Sequence, residues 1–303
     1  MYLGRQHHEP GGIITVRERM RIGVVLPVGP NDSEVAFDTL ASALYYLDQS
    51  RVIVVIDDTG GGPGFGQRVK NLSPDIVVLP SPPGSSGGLG GLWVKIAAGY
   101  QWLLQRYEPD IILRLDADAL IIGSGIEDCA TQEFGLDPEV GLLGSYRIDP
   151  QGAPRDWSWV AWRFRSEAGV RGLRRPLRWL RLRELLALAR QHDYIEGEHV
   201  LGGSYIHSFR AADDIYAKGW FDQPYFATSL LGEDHIMSLL AVAAGYRIAD
   251  FGRPADPMAL KWRGLPAHPE ELLANKKLVT HSVRSWENMT EDEIRGIFRA
   301  ART

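Results

Sequence analysis

Four short apolar runs rich in β-branched residues, separated by stretches of helical spacing, constrain this chain more than any other feature. They are Ile22 to Val28 (IGVVLPV), Val52 to Asp57 (VIVVID), Asp75 to Pro80 (DIVVLP) and Asp110 to Ile122 (DIILRLDADALII). Continuous apolar character suits strands buried on both faces, and strands that alternate with helices suit a mostly parallel α/β sheet. Asp38, Leu40, Ala43, Leu44 and Leu47 suggest a helix between the first two runs. Trp93, Ile96, Ala97, Tyr100, Leu103 and Leu104 form the stripe of a second helix, ahead of the fourth run. A third starts just after Gly232 and carries Ile236, Leu239, Leu240 and Ala243 on one face. Val140 to Leu143, Leu201 to Ile206, Arg247 to Phe251 and Leu278 to Val283 read as strands of the second half. No period is sustained over residues 1–20, which read as a frayed leader with Met20 as an alternative start; residues 21–303 read as one domain.

Composition narrows the function classes. At 303 residues and 45% hydrophobic content the chain can bury a full core. No segment reaches the roughly 20 apolar residues that span a bilayer. The single cysteine, Cys129, has no internal partner, and no charged-then-apolar leader opens the chain, so a reducing cytoplasm is expected. A net charge of −5 argues against nucleic acid as a partner. That charge is unevenly spread. Nine arginines against Glu167 and Glu184 give residues 163–190 a local +7 and leave −12 on the remainder.

In an open α/β sheet, ligands lie beyond the carboxyl ends of the strands. Pro27 ends the first strand and Asp57-Asp58 the second, while Asp116-Ala117-Asp118 interrupts the fourth and a glycine-rich loop, Gly84 to Gly91, leads into the Trp93 helix. Two carboxylates one residue apart in an apolar run are costly to bury without a cation or donor partner. A divalent ion resolves that cost, and oxygen ligands suit Mg²⁺ or Mn²⁺; a turn or a salt-bridged pair is the plainer alternative. The glycine-rich loop offers free N–H groups at a helix start, with Lys95 as a point charge for phosphate, or is a flexible connector. Glu233 and Asp234 at the head of the Ile236 helix are candidate bases, capping being the alternative. His281 is a candidate third metal ligand, or a hydrogen-bonding surface residue, and His235 and His207 rank below it.

Read in order, IGVVLPV, VIVVIDD, LRLDADALI and LLGEDHIMSLLAVAAGYRI resemble an inverting glycosyltransferase of the Rossmann-like GT-A fold, similar to glycosyltransferase family two. The resemblance runs from about Ile22 to Phe251, and His281 resembles the C-terminal metal-binding histidine of several GT-A groups. It implies that a UDP- or GDP-linked sugar donor lies against Pro27 and Val28, with Asp57 or Asp58 on the base or ribose. Lys95 would approach the diphosphate. Asp116 and Ala117 would sit at the donor, Asp116 and Asp118 with His281 would hold Mn²⁺ or Mg²⁺, and Asp234 of the Glu233-Asp234 pair would deprotonate a hydroxyl acceptor. The family's tryptophan-containing acceptor motif is missing, which argues against processive synthesis. A nucleotidyltransferase acting on a sugar phosphate and an inactive sugar-nucleotide-binding scaffold are the competing readings; the first is disfavoured because LPVGPND carries no basic residue.

Between the carboxylate cluster and the proposed base, residues 157–190 combine Trp157, Trp159, Trp162 and Trp179 with the nine arginines. Such an insert packs as a helical flap on the domain or on a second subunit of a homodimer, faces anionic lipid at the inner side of a membrane, or receives an acidic acceptor.

Overall fold

A computed structural model describes residues 18–60, 65–85 and 88–302. Positions 1–17 of the expected leader, and 86–87 of the glycine-rich loop, lie outside them. Elements follow in the order β1 (Glu18–Val28), α1 (Ser33–Tyr46), β2 (Arg51–Asp57), α2 (Phe65–Val69), β3 (Ile76–Pro80), α3 (Gly88–Leu104), β4 (Tyr107–Leu115), β5 (Ala119–Ile121), α4 (Ile126–Leu136) and β6 (Val140–Gly144). After these come α5 (Ser158–Ala168), a 3₁₀ turn (Val170–Arg174), α6 (Pro176–Arg190), β7 (Ser204–Ser208), α7 (Phe209–Ala217), a second 3₁₀ turn (Pro224–Thr228), α8 (Glu233–Ala243) and β8 (Arg247–Asp250). The chain closes with β9 (Met258–Leu260), α9 (Pro269–Ala274), β10 (Val279–His281), a small hairpin of β11 (Ser285–Trp286) and β12 (Met289–Thr290), and α10 (Glu291–Ala300).

The seven-stranded central sheet has the order β3-β2-β1-β4-β7-β6-β8. Strands β3, β2, β1 and β4 are mutually parallel, and β7 alone runs against its neighbours. This is the mostly parallel α/β sheet that the apolar runs predict. Alternate residues of each strand feed opposite cores, as a pleat of period two requires. Val52, Val54 and Ile56 of β2 belong to the core that α3, α6 and α8 also fill, whereas Ile53 and Val55 belong to the one filled by α1 and α4. Each such buried aliphatic contributes roughly 1.5–3 kcal/mol, which is why these runs become strands whatever their local preference. Helix α3 sits directly on β1 because Gly99 presents no side chain; a Cβ there would lie 2.5 Å from Val25 Cγ1.

Four boundaries differ from the sequence expectation. Strand β1 begins at Glu18, because its first residues pair with Tyr107 to Pro109 of β4, so positions 18–20 of the expected leader belong to the sheet. Gly88, Gly90 and Gly91 lie in α3 rather than in a loop. The run from Asp110 to Ile122 is two strands: the chain turns at Asp116 to Asp118, and β5 leaves for a second sheet, β5-β10-β9, with its own core of Leu120, Val283, Ile294 and Phe298. Strand β7 starts only at Ser204, because Gly203 holds the left-handed φ of +98°.

Candidate active site

The carboxylate cluster sits where the two sheets part. Val25 of β1 pairs with Arg114 of β4, so Asp116 and Pro27 lie the same two residues beyond that register, at one rim. Three side chains converge there. His281 Nε2 is 3.3 Å from Asp118 Oδ1 and 3.8 Å from Asp116 Oδ2, and one ligand atom from each residue falls within 4.8 Å of the others.

The outer atoms of all three groups are already engaged, so the inner ones are left to face each other. His281 Nδ1 lies 2.9 Å from the Lys261 carbonyl and donates to it, which places the lone pair on Nε2. Asp118 Oδ2 accepts from Ser282 Oγ and Arg284 Nε, both at 2.7 Å. Asp116 Oδ1 is ion-paired with Arg114 Nη2 at 2.8 Å. Burial raises Asp118, but hydrogen bonds from Ser282 and Arg284, joined by one from His281 whenever its Nε2 carries a proton in place of a metal, outweigh it and hold the carboxyl well below its usual range. For Asp116 burial prevails over Arg114, and its pKa lies above the ordinary value. Metal–ligand bonds of about 2.1 Å separate adjacent octahedral ligands by about 3 Å and opposite ones by about 4.2 Å. The imidazole nitrogen stands 3.3 and 3.8 Å from the two carboxylate oxygens, within that range, and the donor set suits Mn²⁺ or Mg²⁺.

The backbone beneath the cluster is clamped. Thr39 Oγ1 of α1 lies 2.7 and 2.9 Å from the carbonyls of Ala117 and Ala119, and Arg295 Nη2 of α10 donates to the Ala117 carbonyl at 3.0 Å. Ala117 itself is buried in the core below, so it shapes the turn through its carbonyl.

The Glu233-Asp234 pair heads α8 as expected, but the two carboxylates diverge. Glu233 turns inward onto Arg114 Nη2 at 2.9 Å, where burial pushes its pKa up to about 8 against the attraction of that guanidinium. Arg114 is fully buried between Asp116 and Glu233 and ties the two acidic motifs together. Asp234 faces the Gly202-Gly203 turn, accepting from Gly202 N at 3.0 Å and His235 N at 2.9 Å. Burial raises it, yet His235, His199 and that backbone N–H together bring its pKa below the ordinary value. Gly203 presses on the other partner: a Cβ there would stand 2.4 Å from His281 Nδ1. Asp234 and His281 therefore flank one two-residue stretch of backbone.

His199, Asp234 and His235 form a second cluster of ligand-type atoms, in which His199 has both ring nitrogens engaged elsewhere and His235 one. Arg155 Nη2 lies 3.1 Å from His199 Nε2, His199 Nδ1 lies 2.8 Å from the Gly197 carbonyl, and His235 Nδ1 accepts from Gly232 N to cap α8. Both nitrogens of His199 are thus taken, and His235 Nε2 lies 3.6 Å from Asp234 Oδ1. His207 is a core residue paired with Tyr100 Oη at 2.9 Å.

At the neighbouring strand ends, Asp58 N donates to the Val28 carbonyl, and Pro27 and Val28 are buried. Asp57 accepts from Thr59 N and Oγ1 at 2.9 and 2.6 Å. Lys95 is ion-paired with Asp58, so the structure joins two residues that the resemblance assigned to different parts of a donor. Sequence reasoning missed Arg114, Arg284, Gly202 and Gly203. A lone cation inside DIILRLDADAL was the available signal for Arg114; Arg284 carries none, because its partner is 166 residues away.

No family profile matches the chain, and no curated protein does. Solved structures do. The apo structure of the bifunctional glycosyltransferase WbbM matches with a TM-score of 0.51 and 10% identity, over 94% of this chain and 50% of that one. The galactosyltransferase LgtC, in complex with donor and acceptor sugar analogs, matches with a TM-score of 0.48 and 12% identity, over 92% and 95% of the two chains. The mannosyltransferase PcManGT from Pyrobaculum calidifontis, in complex with GDP-Man and Mn²⁺, matches at 0.41 and 15%, over 78% and 56%. This chain spans about half the length of WbbM. The likeness is one of fold: this chain's mainly parallel seven-stranded sheet flanked by helices is GT-A-like.

Proposed function

We infer that this protein is a metal-dependent glycosyltransferase that moves one sugar from a nucleoside-diphosphate donor to a hydroxyl acceptor, with inversion. The single observation that carries the reading is the spacing of Asp116, Asp118 and His281. Two carboxylate oxygens and a lone-pair imidazole nitrogen converge at the rim of the parallel sheet, each oriented by a partner on its outer side. The WbbM likeness supports the fold on which such a site is built.

The residues divide the work. Pro27, Val28, Asp57 and Asp58 line the strand ends where the base and ribose of a UDP- or GDP-linked donor would rest, with Lys95 beside Asp58. Bound at Asp116, Asp118 and His281, Mn²⁺ or Mg²⁺ would supply charge neutralisation for the departing diphosphate. Asp234 is the more accessible acid of its pair and is ionised at neutral pH, so it is placed to take the acceptor hydroxyl proton. Glu233 serves as the internal partner of Arg114.

The test is a thermal-shift series with UDP and GDP, with and without Mn²⁺. Nucleotide at a hundredfold excess over its Kd adds about 2.7 kcal/mol, which for a chain of this size raises Tm by about 5 °C. The shift is expected to need Mn²⁺ and to vanish in Asp118→Ala. An equal shift without the metal, or in the variant, overturns the assignment.

A further inference from the structure

The outward face of the basic insert is unlike the rest of the surface. From Val170 to Leu177 every residue except Gly172 is exposed. Val170, Leu173 and Leu177 are 84%, 51% and 68% accessible, and Leu180 follows at helical spacing. Arg171, Arg174 and Arg175 rise among them, and none has an acidic partner among the described residues. Of the other six arginines of the insert, Arg165 and Arg190 pair with Glu196, Arg178 with Glu167 and Arg181 with Glu184, Arg163 donates to the Leu230 carbonyl, and Arg183 lies over the Trp179 ring. A shallow groove of about 330 Å³, lined by Trp162, Arg165, Ser166, Gly169, Val170 and Arg171, joins this turn to the half-exposed Trp162 of α5.

We propose that this face docks on an anionic lipid surface. Four aliphatic side chains gain nothing from a phosphate backbone, but they partition into the boundary between headgroup and acyl chain, and tryptophan prefers that same depth. The unpaired guanidiniums meet the negative surface potential, while the −12 carried by the remainder of the chain is repelled from it, so the two signs set one orientation. A symmetric contact with a second copy would set Arg171, Arg174 and Arg175 against their own counterparts.

The insert is also fastened to the entrance of α8. Glu167 accepts from Ser229 Oγ at 2.8 Å and from Leu230 N, Arg178 Nη1 donates to the Thr228 carbonyl at 2.6 Å, and the Trp159 ring lies 5.6 Å from that of His235. Docking through α5 and α6 brings the Asp234 side of the site to the bilayer, and the acceptor would then be a hydroxyl presented at that surface. This last step rests on the proposed transfer activity; the docking does not.

The experiment is co-sedimentation of the full chain with vesicles of phosphatidylcholine alone, or with about one-third phosphatidylglycerol. Binding is expected only with the anionic lipid and should weaken as salt shortens the screening length. The triple variant Arg171→Ala, Arg174→Ala, Arg175→Ala should partition about a hundredfold less, and Leu173→Ser with Leu177→Ser about tenfold less. Both variants alter exposed positions, and an unchanged circular dichroism spectrum confirms that they fold. Equal binding to neutral vesicles, undiminished binding of the triple variant, or a dimer that dissolves in the leucine variant overturns the proposal. Vesicle binding without a nucleotide-dependent thermal shift would leave the docking face standing and remove the transferase reading; the reverse result would do the opposite.

Discussion

Asp234 and Glu233 show how two adjacent acids acquire opposite pKa shifts from their surroundings alone. Asp234 is ionised and faces the glycine turn, so Asp234→Asn should keep donor affinity and lower transfer by about a thousandfold, within the range of general-base loss. Initial rates and nucleotide titrations on the same preparation check this, and full activity would remove Asp234 from the mechanism. Glu233 lies buried with its pKa raised from 4.5 to about 8. Its proton is bound more tightly in the folded chain than in the unfolded one, so its contribution to stability is present in full below about 4.5 and is lost as pH rises towards 8. Glu233→Gln removes that dependence, and urea midpoints should fall less between about pH 5.5 and pH 8 in the variant than in the parent. An unchanged slope would place the titration elsewhere. The acidic pairs themselves were legible in the sequence, because charge inside or just before an apolar run demands a partner. The partners were not: Arg284 and Arg295 approach Asp118 and Ala117 across 166 and 178 residues, and no local pattern encodes such a meeting.

Among the elements, the approach to β7 does most to shape the site. Gly202 and Gly203 bring backbone into contact with Asp234 on one side and His281 on the other. Gly203 combines a φ of +98° with the absence of room for a Cβ. Gly203→Ala should therefore destabilise the fold by about 1–3 kcal/mol and displace the imidazole. Calorimetric Mn²⁺ titration should show at least about a tenfold loss of affinity, the scale at which outer contacts tune a metal site; parent-like affinity would show that the turn is more yielding than its geometry implies. The strands β1 to β4 and the helices α1, α3 and α8 could be read from periodicity, since burial on both faces leaves an unbroken apolar signature. The split between β4 and β5 could not, because the apolar run continues through a turn whose two strands serve different sheets.

At the scale of the whole molecule, α10 returns to close the region where the chain began. Arg295, fully enclosed, pairs with Asp38 of α1 at 3.0 Å and with Glu291 at 2.9 Å while holding the Ala117 carbonyl. Arg295→Leu leaves Glu291 without its cation and Asp38 with Arg302 alone, and breaking a buried pair costs about 3–5 kcal/mol. Urea unfolding should report that loss together with weaker Mn²⁺ binding; a loss below 1 kcal/mol would mean that water replaces the guanidinium (about the cost of a surface change,). The meeting of the two sheets has a further consequence for how the chain matures. His281 reaches the carboxylates only after β10 has aligned between β5 and β9. A nascent polypeptide thus passes through a stage in which the large sheet can already be assembled while the imidazole is still missing, and the three side chains meet only once β10 has joined the second sheet.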